Sequence, residues 1–177
     1  MNRLFIFLLI VWISFFSCKS FSNYQETSTN DLAYQTIPES LLAFIKINFP
    51  DHTIPDLKDY VQNFKLYSSN EQPYYCSSDF NGDGKIDYAL LLKSQKELFL
   101  YAFLSQDKTY IKILVDKFDP INNGVEVIIA VEPKGTWEAA EDSIAVLNDG
   151  IAVELIEESL NWSYYFNDSK FIRYLYD

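Results

Sequence analysis

The chain has 177 residues, of which 49% are hydrophobic and 17% aromatic. It is therefore long enough for one domain with a sizeable core, and too apolar to be disordered over most of its length. Its 14 basic and 25 acidic residues give a formal net charge of -11, which argues against nucleic acid or an anionic membrane surface as a partner.

The first seventeen residues have the pattern of an export signal. Arg3 is followed by an uncharged apolar run from Leu4 to Phe16. This run is shorter than the roughly 20 residues that span a bilayer, but it suits the apolar region of a signal peptide. We therefore predict that residues 1–17 are a signal peptide that is absent from the mature protein.

The apolar run ends in FFSC, residues 15–18, and this end resembles the lipobox of bacterial lipoproteins. In that family the cysteine carries the lipid and becomes the first residue of the mature chain. The resemblance implies lipidation at Cys18 and a lipid-anchored protein of the bacterial envelope, facing the periplasm or the cell exterior. The alternatives are a signal peptide cleaved elsewhere and an uncleaved anchor.

Two further features follow from Cys18. Residues 18–35 are rich in Ser, Thr and Asn and predict a flexible tether before a single domain at residues 36–177. Cys76, the other cysteine, then has no partner and is more typical of a buried small hydrophobic residue than of a nucleophile. If Cys18 is not lipidated, a disulfide between the two is the alternative, since an exported protein lies in an oxidising compartment.

An amphipathic helix is predicted at the start of the domain. Thr36 and Pro38 form an N-terminal signal, and Pro50 marks the end. Apolar residues recur between them at helical spacing: Ile37, Leu41, Phe44, Ile45 and Phe49. A second helix in DLKDYVQNF, residues 56–64, competes with a strand or a turn, because the segment is short and follows Pro55.

His52 is the only histidine of the chain. This excludes zinc sites built on two histidines, and any Ser-His-Asp triad would have to use this residue. It lies in FPDHTIP, a loop bracketed by prolines, without a GxSxG motif elsewhere in the chain. We therefore interpret His52 as a surface residue and not as a general base.

The segment SSDFNGDGKIDYALLL, residues 77–92, places three aspartates and an asparagine at alternate positions before an apolar run. Calcium takes six to eight oxygen ligands, and alternate residues of a tight loop direct their oxygens inward. The spacing matches positions 1, 3, 5, 7 and 9 of an EF-hand-like loop, with Gly84 at the sharp turn. The predicted ligands are the side chains of Asp79, Asn81, Asp83 and Asp87 and the carbonyl of Lys85.

A complete EF-hand is not expected, because position 12 is Leu90 and the flanking segments look extended. The motif resembles instead the calcium loops of FG-GAP and VCBS repeats, in which DxNGDGxxD precedes a strand. That resemblance implies the same five ligands and calcium as the cofactor. The alternative is an acidic turn that holds no metal.

The chain carries this loop once, and in this it resembles a set of small uncharacterised exported bacterial proteins. The shared features are the loop followed by DYALLL, an N-terminal IP..L..F....FP helix and a closing YYF.D.KF hairpin. The resemblance spans most of the mature chain and implies no particular activity.

Beyond Lys65 the pattern predicts strands joined by short turns, which favour antiparallel hairpins. Leu98–Leu104 is apolar on both faces and should lie inside a sheet. The predicted strands are Tyr74–Ser77, Ile86–Lys93, Leu98–Leu104, Tyr110–Phe118, Val125–Glu132, Ser143–Leu147, Ile151–Ile156, Trp162–Phe166 and Phe171–Tyr176.

One loop, GTWEAAEDS, combines an aromatic ring with carboxylates: Glu138, Glu141 and Asp142 follow Trp137. Two carboxylates and a stacking ring are typical of glycosidase clefts, although neighbouring carboxylates are more often a solvated acidic turn.

Together these patterns predict an α+β fold, with one or two N-terminal helices packed on a curved, mainly antiparallel sheet. The expected function is a calcium-stabilised binding or structural domain with a glycan or protein ligand, and not an enzyme. A hydrolase of envelope or other polysaccharides, using the carboxylates near Trp137, is the alternative.

Overall fold

The computed structural model describes residues 36–61, 72–95, 97–118, 124–138, 143–156, 158 and 160–175. They belong to one compact unit, Tyr34–Asp177, whereas the other unit, Met1–Ala33, lies outside the described residues. The predicted signal peptide, the lipidation site at Cys18 and the tether up to residue 35 also lie outside the described part of the chain.

The predicted helix at the start of the domain is confirmed as α1, Glu39–Asn48. The predicted Thr36 cap is wrong: Pro38 is the N-cap residue, and no side chain caps the helix. The carbonyl oxygen of Pro38 instead accepts hydrogen bonds from the N–H groups of Leu41 and Leu42, each at 3.0 Å. The reason is steric, because the proline ring disfavours helical geometry at the preceding residue, Ile37.

The second predicted helix is reduced to a 3-10 turn, Leu57–Asp59, capped by the side chain of Asp56. The chain is extended at Tyr60, which forms a parallel bridge with Val125. Of the alternatives for residues 56–64, the turn is therefore the one that the structure has in the described residues 56–61. Contacts with a distant segment decide the conformation here, and a local pattern cannot show them.

The described residues then form ten strands, and every named strand pair is antiparallel, as the short turns predict. The strands are β1 Tyr75–Ser78, β2 Asp87–Lys93, β3 Leu98–Gln106, β4 Thr109–Phe118, β5 Val127–Glu132, β6 Gly135–Glu138, β7 Ser143–Val146, β8 Gly150–Leu155, β9 Leu160–Asn167 and β10 Lys170–Leu175.

The strands form two four-stranded sheets and one hairpin. The first sheet has the order β1-β2-β3-β4, and the second sheet has the order β10-β9-β8-β5. The predicted interior position of Leu98–Leu104 is confirmed, because β3 lies between β2 and β4. Strand β6 was not predicted: its residues were interpreted as a loop, but they pair with β7 from Gly135–Val146 to Glu138–Ser143.

The two sheets pack face to face, and the faces that meet are called the inner faces. Alternate residues of each strand supply one continuous apolar core between them. The core residues include Ala89, Leu91, Leu98, Leu100 and Ala102 from the first sheet, and Ile129, Ile151, Val153, Trp162 and Tyr164 from the second.

The edges of the sheets also meet, β1 with β5 and β4 with β10. At the first edge the N–H of Ile129 donates to the carbonyl of Pro73 at 2.8 Å, while the next residue, Tyr74, accepts from Leu91 at 2.9 Å. A β-bulge in the pairing of β4 with β3 lies beside Asp116, which accepts a hydrogen bond from the Tyr164 hydroxyl of the second sheet. The two sheets therefore contact each other along two edges as well as through their inner faces, and together they form a nearly closed, two-layered structure.

The outer faces, which point away from the shared core, have different covers. Helix α1 packs on the outer face of the first sheet through Leu41 and Ile45. On the second sheet, Trp137 of the β6–β7 hairpin lies over Gly150, where a Cβ atom would come within 2.4 Å of the indole ring. These two covers determine which parts of the surface remain open.

Candidate functional site

The predicted calcium loop joins the end of β1 to the start of β2 and curls around the side chain of Asp79. Its Oδ1 accepts hydrogen bonds from the N–H groups of Gly82 at 2.8 Å and Asp83 at 3.1 Å, and its Oδ2 accepts one from Gly84 at 2.9 Å. Both glycines have left-handed backbone angles, φ 76° and 82°, which non-glycine residues rarely adopt. The glycines thus let the chain turn closely around one carboxylate.

The next two predicted ligands each close a short turn. The Asn81 side-chain oxygen accepts from the N–H of Asp83, and the Asp83 Oδ1 accepts from the N–H of Lys85, both at 2.9 Å. The ammonium group of Lys85 points elsewhere, to Asp107 at 3.4 Å. The oxygen-bearing side chains at positions 79, 81 and 83 are therefore held by the backbone of the loop itself.

Asp87, the first residue of β2, is completely buried. Its Oδ2 accepts from the N–H groups of Phe80 at 3.1 Å and Asn81 at 3.3 Å, and its Oδ1 accepts from Ser105 of β3 at 2.8 Å. Burial raises the pKa of this carboxyl group to about 6, against the lowering effect of these hydrogen bonds. Asp87 therefore ties both the loop and the neighbouring strand to the start of β2.

The loop also rests on a distant turn between β7 and β8. A Cβ atom at Gly82 would come within 2.5 Å of the Asn148 side-chain oxygen. Beside it, Asp149 accepts from the Ser78 hydroxyl at 2.5 Å and from the Lys134 N–H at 3.0 Å, and the Ser78 hydrogen bond lowers the pKa of the Asp149 carboxyl group. Sequence reasoning missed this contact, because NDG was interpreted only as a turn about 70 residues away.

The donor chemistry of the loop suits calcium. The four predicted side chains and one carbonyl all offer oxygen ligands. The oxygens that accept a single hydrogen bond, Asp79 Oδ2, Asn81 Oδ1 and Asp83 Oδ1, keep a second lone pair. The Asp79 Oδ1 and Asp87 Oδ2 atoms already accept two hydrogen bonds each. Leu90, at the position of the missing EF-hand glutamate, is buried on the outer face of the first sheet and offers no oxygen from its side chain. Within the described ranges, no group of three or more His, Cys, Asp or Glu side chains is placed to hold a metal ion.

Cys76 is a free cysteine in the core between the sheets. Burial raises the pKa of its thiol, so the neutral form dominates and the group is a poor nucleophile.

His52 is half-buried, not on the open surface as predicted. Its ring lies 5.7 Å from that of Phe49 and 5.4 Å from that of Phe99, centroid to centroid.

The aromatic ring of GTWEAAEDS is buried. Trp137 is only 4% exposed, and its indole N–H donates to the Pro133 carbonyl at 2.9 Å. Glu138 is exposed on β6, whereas Glu141 and Asp142 lie outside the described residues. Trp137 therefore acts as a packing residue of the hairpin and does not present a free face to a sugar.

No family model, no curated protein and no solved structure matches the chain. Among the residues that the structure describes, no helix is long and apolar enough to cross a membrane.

Proposed function

We propose that the protein is a lipid-anchored, calcium-stabilised binding or structural domain of the bacterial envelope. The observation that supports it best is the loop at residues 79–87, in which oxygen-bearing side chains at alternate positions are fixed around a turn at the head of a core strand. The lipid anchor rests on the resemblance of residues 15–18 to a lipobox, and a glycan or protein ligand remains part of the proposal.

The loop places negative charges near one another at the start of β2, although the described carboxylates are not gathered into a group of three that could hold a metal ion. Asp79 and Asp83 lie in the same turn, and the charge of Asp83 further raises the pKa of Asp87. Bound calcium supplies positive charge that turns this repulsion into attraction. The loop would then hold the start of β2 against β3 through the hydrogen bond from Ser105 to Asp87.

For the fold as a whole, we propose the α+β class with one N-terminal helix packed on the curved sheet. This is supported by the contact of α1 with the first sheet. In the described part of residues 56–64, the structure has the 3-10 turn Leu57–Asp59.

Among the residues that the structure describes, no observation favours the hydrolase alternative. It relied on a ring that stacks on sugar beside two carboxylates, and the Trp137 ring instead packs against Tyr165 and Tyr174 at 6.0 and 6.1 Å between centroids. We therefore propose a role in binding or structure and not in catalysis.

Calcium should stabilise the full-length protein. Three carboxylates without a position-12 glutamate indicate a dissociation constant on the order of 0.1 to 1 mM. At about 1 mM calcium and a constant of about 0.1 mM, linkage adds about 1.4 kcal/mol to the free energy of unfolding. This corresponds to a rise of roughly 3 to 6 °C in melting temperature, measured by scanning calorimetry in calcium and in EDTA.

The matched variants for this experiment are Asp79→Ala and Asp83→Ala, which should lose the calcium-dependent rise, and Glu138→Ala, which should keep it. Magnesium should act much less, since it demands a tighter octahedral shell. Identical melting curves of the wild type in calcium and EDTA would show that the segment is an acidic turn without a metal.

Lipidation is tested in a bacterium that has the lipoprotein pathway. The wild type should fractionate with membranes and incorporate a palmitate analogue, whereas Cys18→Ala should do neither. Wild type recovered unlabelled in the soluble periplasmic fraction would contradict the proposed anchor.

A further inference from the structure

A groove crosses the outer face of the second sheet, outside the calcium loop. Its floor is a row of small residues in register across three strands: Ala130 of β5 pairs with Ala152 of β8, which pairs with Ser163 of β9. The row ends at Tyr174 of β10, the partner of Ser163. Small side chains between larger neighbours leave a depression because no atoms fill the space above them.

The neighbouring rows form the two walls. On one side Ile128, Glu154 and Asn161 lie in register across the same three strands. On the other side stands Glu132, which is in register with Gly150. The space between the walls has a volume of about 170 Å³.

The side chain of Glu132 extends from its wall into the groove. Its Oε2 accepts a hydrogen bond from the Ser163 hydroxyl at 3.3 Å, so the side chain reaches from β5 over β8 towards β9. Ser163 is completely buried, which fixes the donor in place. The structure thus holds a carboxylate above an alanine floor, and its remaining lone pairs can accept hydrogen bonds from another group.

The charged residues that line the groove are all acidic. Its polar lining consists of Glu132, Glu154, Asn161 and Ser163, and no lysine, arginine or histidine is among the lining residues. The two carboxylates flank apolar alanine methyl groups, so the lining suits a ligand with a cationic head and a short apolar stem. A volume of about 170 Å³ leaves room for a small group such as an alkylammonium.

We propose that this groove binds a primary alkylammonium group, such as a lysine side chain of a peptide or protein partner. The ammonium group donates to the Glu132 carboxylate, and its methylene stem lies over Ala130 and Ala152. The inference extends the proposed function by giving the binding role a place and a ligand class. Because the groove lies outside residues 79–87, binding of amines and stabilisation by calcium can fail separately.

The test is a titration of the full-length protein, labelled with ¹³C at alanine methyl groups and held in nonionic detergent, with Nα-acetyl-lysine methylamide. The methyl signals of Ala130 and Ala152 should shift with a dissociation constant on the order of 1 mM, as expected for a single small group. The signals of Ala43, exposed on α1, and Ala102, in the core, should not move. The same probe acetylated on its side-chain nitrogen should bind at least about tenfold more weakly, since it lacks the charge.

Three variants locate the binding. Glu132→Gln should weaken binding about tenfold, because it removes the charge and keeps the shape of the side chain. Ala152→Leu should abolish binding by filling the groove. Glu138→Gln, which lies outside the groove, should leave binding unchanged. An Ala102 methyl signal at its wild-type position shows that a variant is folded. If that signal moves in Glu132→Gln, Glu154→Gln is used in its place. Equal affinity for both probes, unchanged binding by Ala152→Leu, or an unresponsive pair of floor methyl groups in the wild type would overturn the proposal. Repeating the titration in EDTA shows whether amine binding depends on calcium, so a failure of the amine proposal can be distinguished from a failure of the proposed calcium site.

Discussion

The two sheets are built alike on their inner faces and differently on their outer faces. Both are four-stranded and antiparallel, and both contribute alternate apolar residues to one core. On the outer face of the first sheet, Leu90, Leu92 and Phe103 are completely buried beneath α1 and the segment that follows it. On the outer face of the second sheet, Ala130 stays exposed and Ala152 half-exposed.

The difference shows that the size of the outward side chains determines what a sheet face can do. Large outward residues need a cover, and the first sheet obtains one from α1, including an edge-on contact of Phe44 with Phe103 at 6.1 Å between ring centroids. Alanines lose little when they remain in water, so the second sheet tolerates an open groove. The first outer face thus contributes stability, and the second is free to bind.

The largest expected effect comes from a substitution on the outer face of the first sheet, which α1 covers. Leu90→Ala removes a completely buried side chain from beneath α1 and should lower the free energy of unfolding by about 2 to 5 kcal/mol. The matched change on the open face, Ala152→Leu, should alter it by less than about 1 kcal/mol, because the added atoms enter an existing groove. Urea denaturation measures both. Similar losses for the two variants would refute the distinction between the faces.

A smaller effect concerns the buried carboxyl group of Asp87 at the head of the first sheet. Its folded-state pKa of about 6 lies above its usual value, so the folded protein binds more protons than the unfolded chain between about pH 4 and 6. The stabilisation that it contributes is complete below about pH 4 and is lost as the pH rises to about 6, by at most about 3 kcal/mol. Asp149, whose carboxyl pKa is lowered, acts in the opposite direction.

The difference in stability between the wild type and Asp87→Asn, measured in EDTA by urea denaturation from pH 3.5 to 7, isolates this dependence. It should decrease by this amount with rising pH, whatever constant loss the substitution causes by disturbing the three hydrogen bonds. A difference that stays constant across the range would show that Asp87 keeps an ordinary pKa.

The smallest expected effect tests the contact between the calcium loop and the turn before β8. Gly82→Ala and Gly84→Ala both force alanine into a positive φ, at a cost of roughly 1 kcal/mol each. Only Gly82 faces Asn148 at close range, whereas a Cβ atom at Gly84 meets nothing within 4 Å. We expect Gly82→Ala to cost about 1 kcal/mol more, and Asn148→Gly to remove that excess when combined with it. Additive losses in thermal melts would show that the loop does not rest on this turn.

Local sequence patterns predicted most of the helices and strands but not the distant residues that pack against them. The helix at residues 39–48 and nine of the ten strands were expected from periodicity and turn residues, since these depend on neighbours along the chain. The predicted Thr36 cap was wrong, because Pro38 is the N-cap residue. For residues 56–64 the sequence left helix, strand and turn open, and the bridge from Tyr60 to Val125 goes with the turn. Strand β6 was not predicted, because the acidic residues that follow GTWE place the whole of GTWEAAEDS in a loop by its sequence pattern.

The candidate sites divide in the same way. The spacing of Asp79, Asn81, Asp83 and Asp87 was visible because all the residues lie in one turn, and calcium remains a prediction for it. Asn148 and Asp149 could not be assigned to that loop, because nothing in the sequence specifies which distant turn lies against it. The groove was equally hidden, although outward-facing Ala130 and Ala152 in apolar strands were a signal that small residues were needed there.

The sequence by itself determined the alternation that gives each strand an apolar inner face, the short turns that make the sheets antiparallel, and the acidic loop before β2. The tertiary structure alone decided that β5 lies beside β1, that Trp137 covers Gly150, and that Glu132 of β5 meets Ser163 of β9 across β8. The physical reason is that alternation and turn geometry depend on neighbouring residues, whereas these contacts depend on sheet register and packing between residues far apart in the chain.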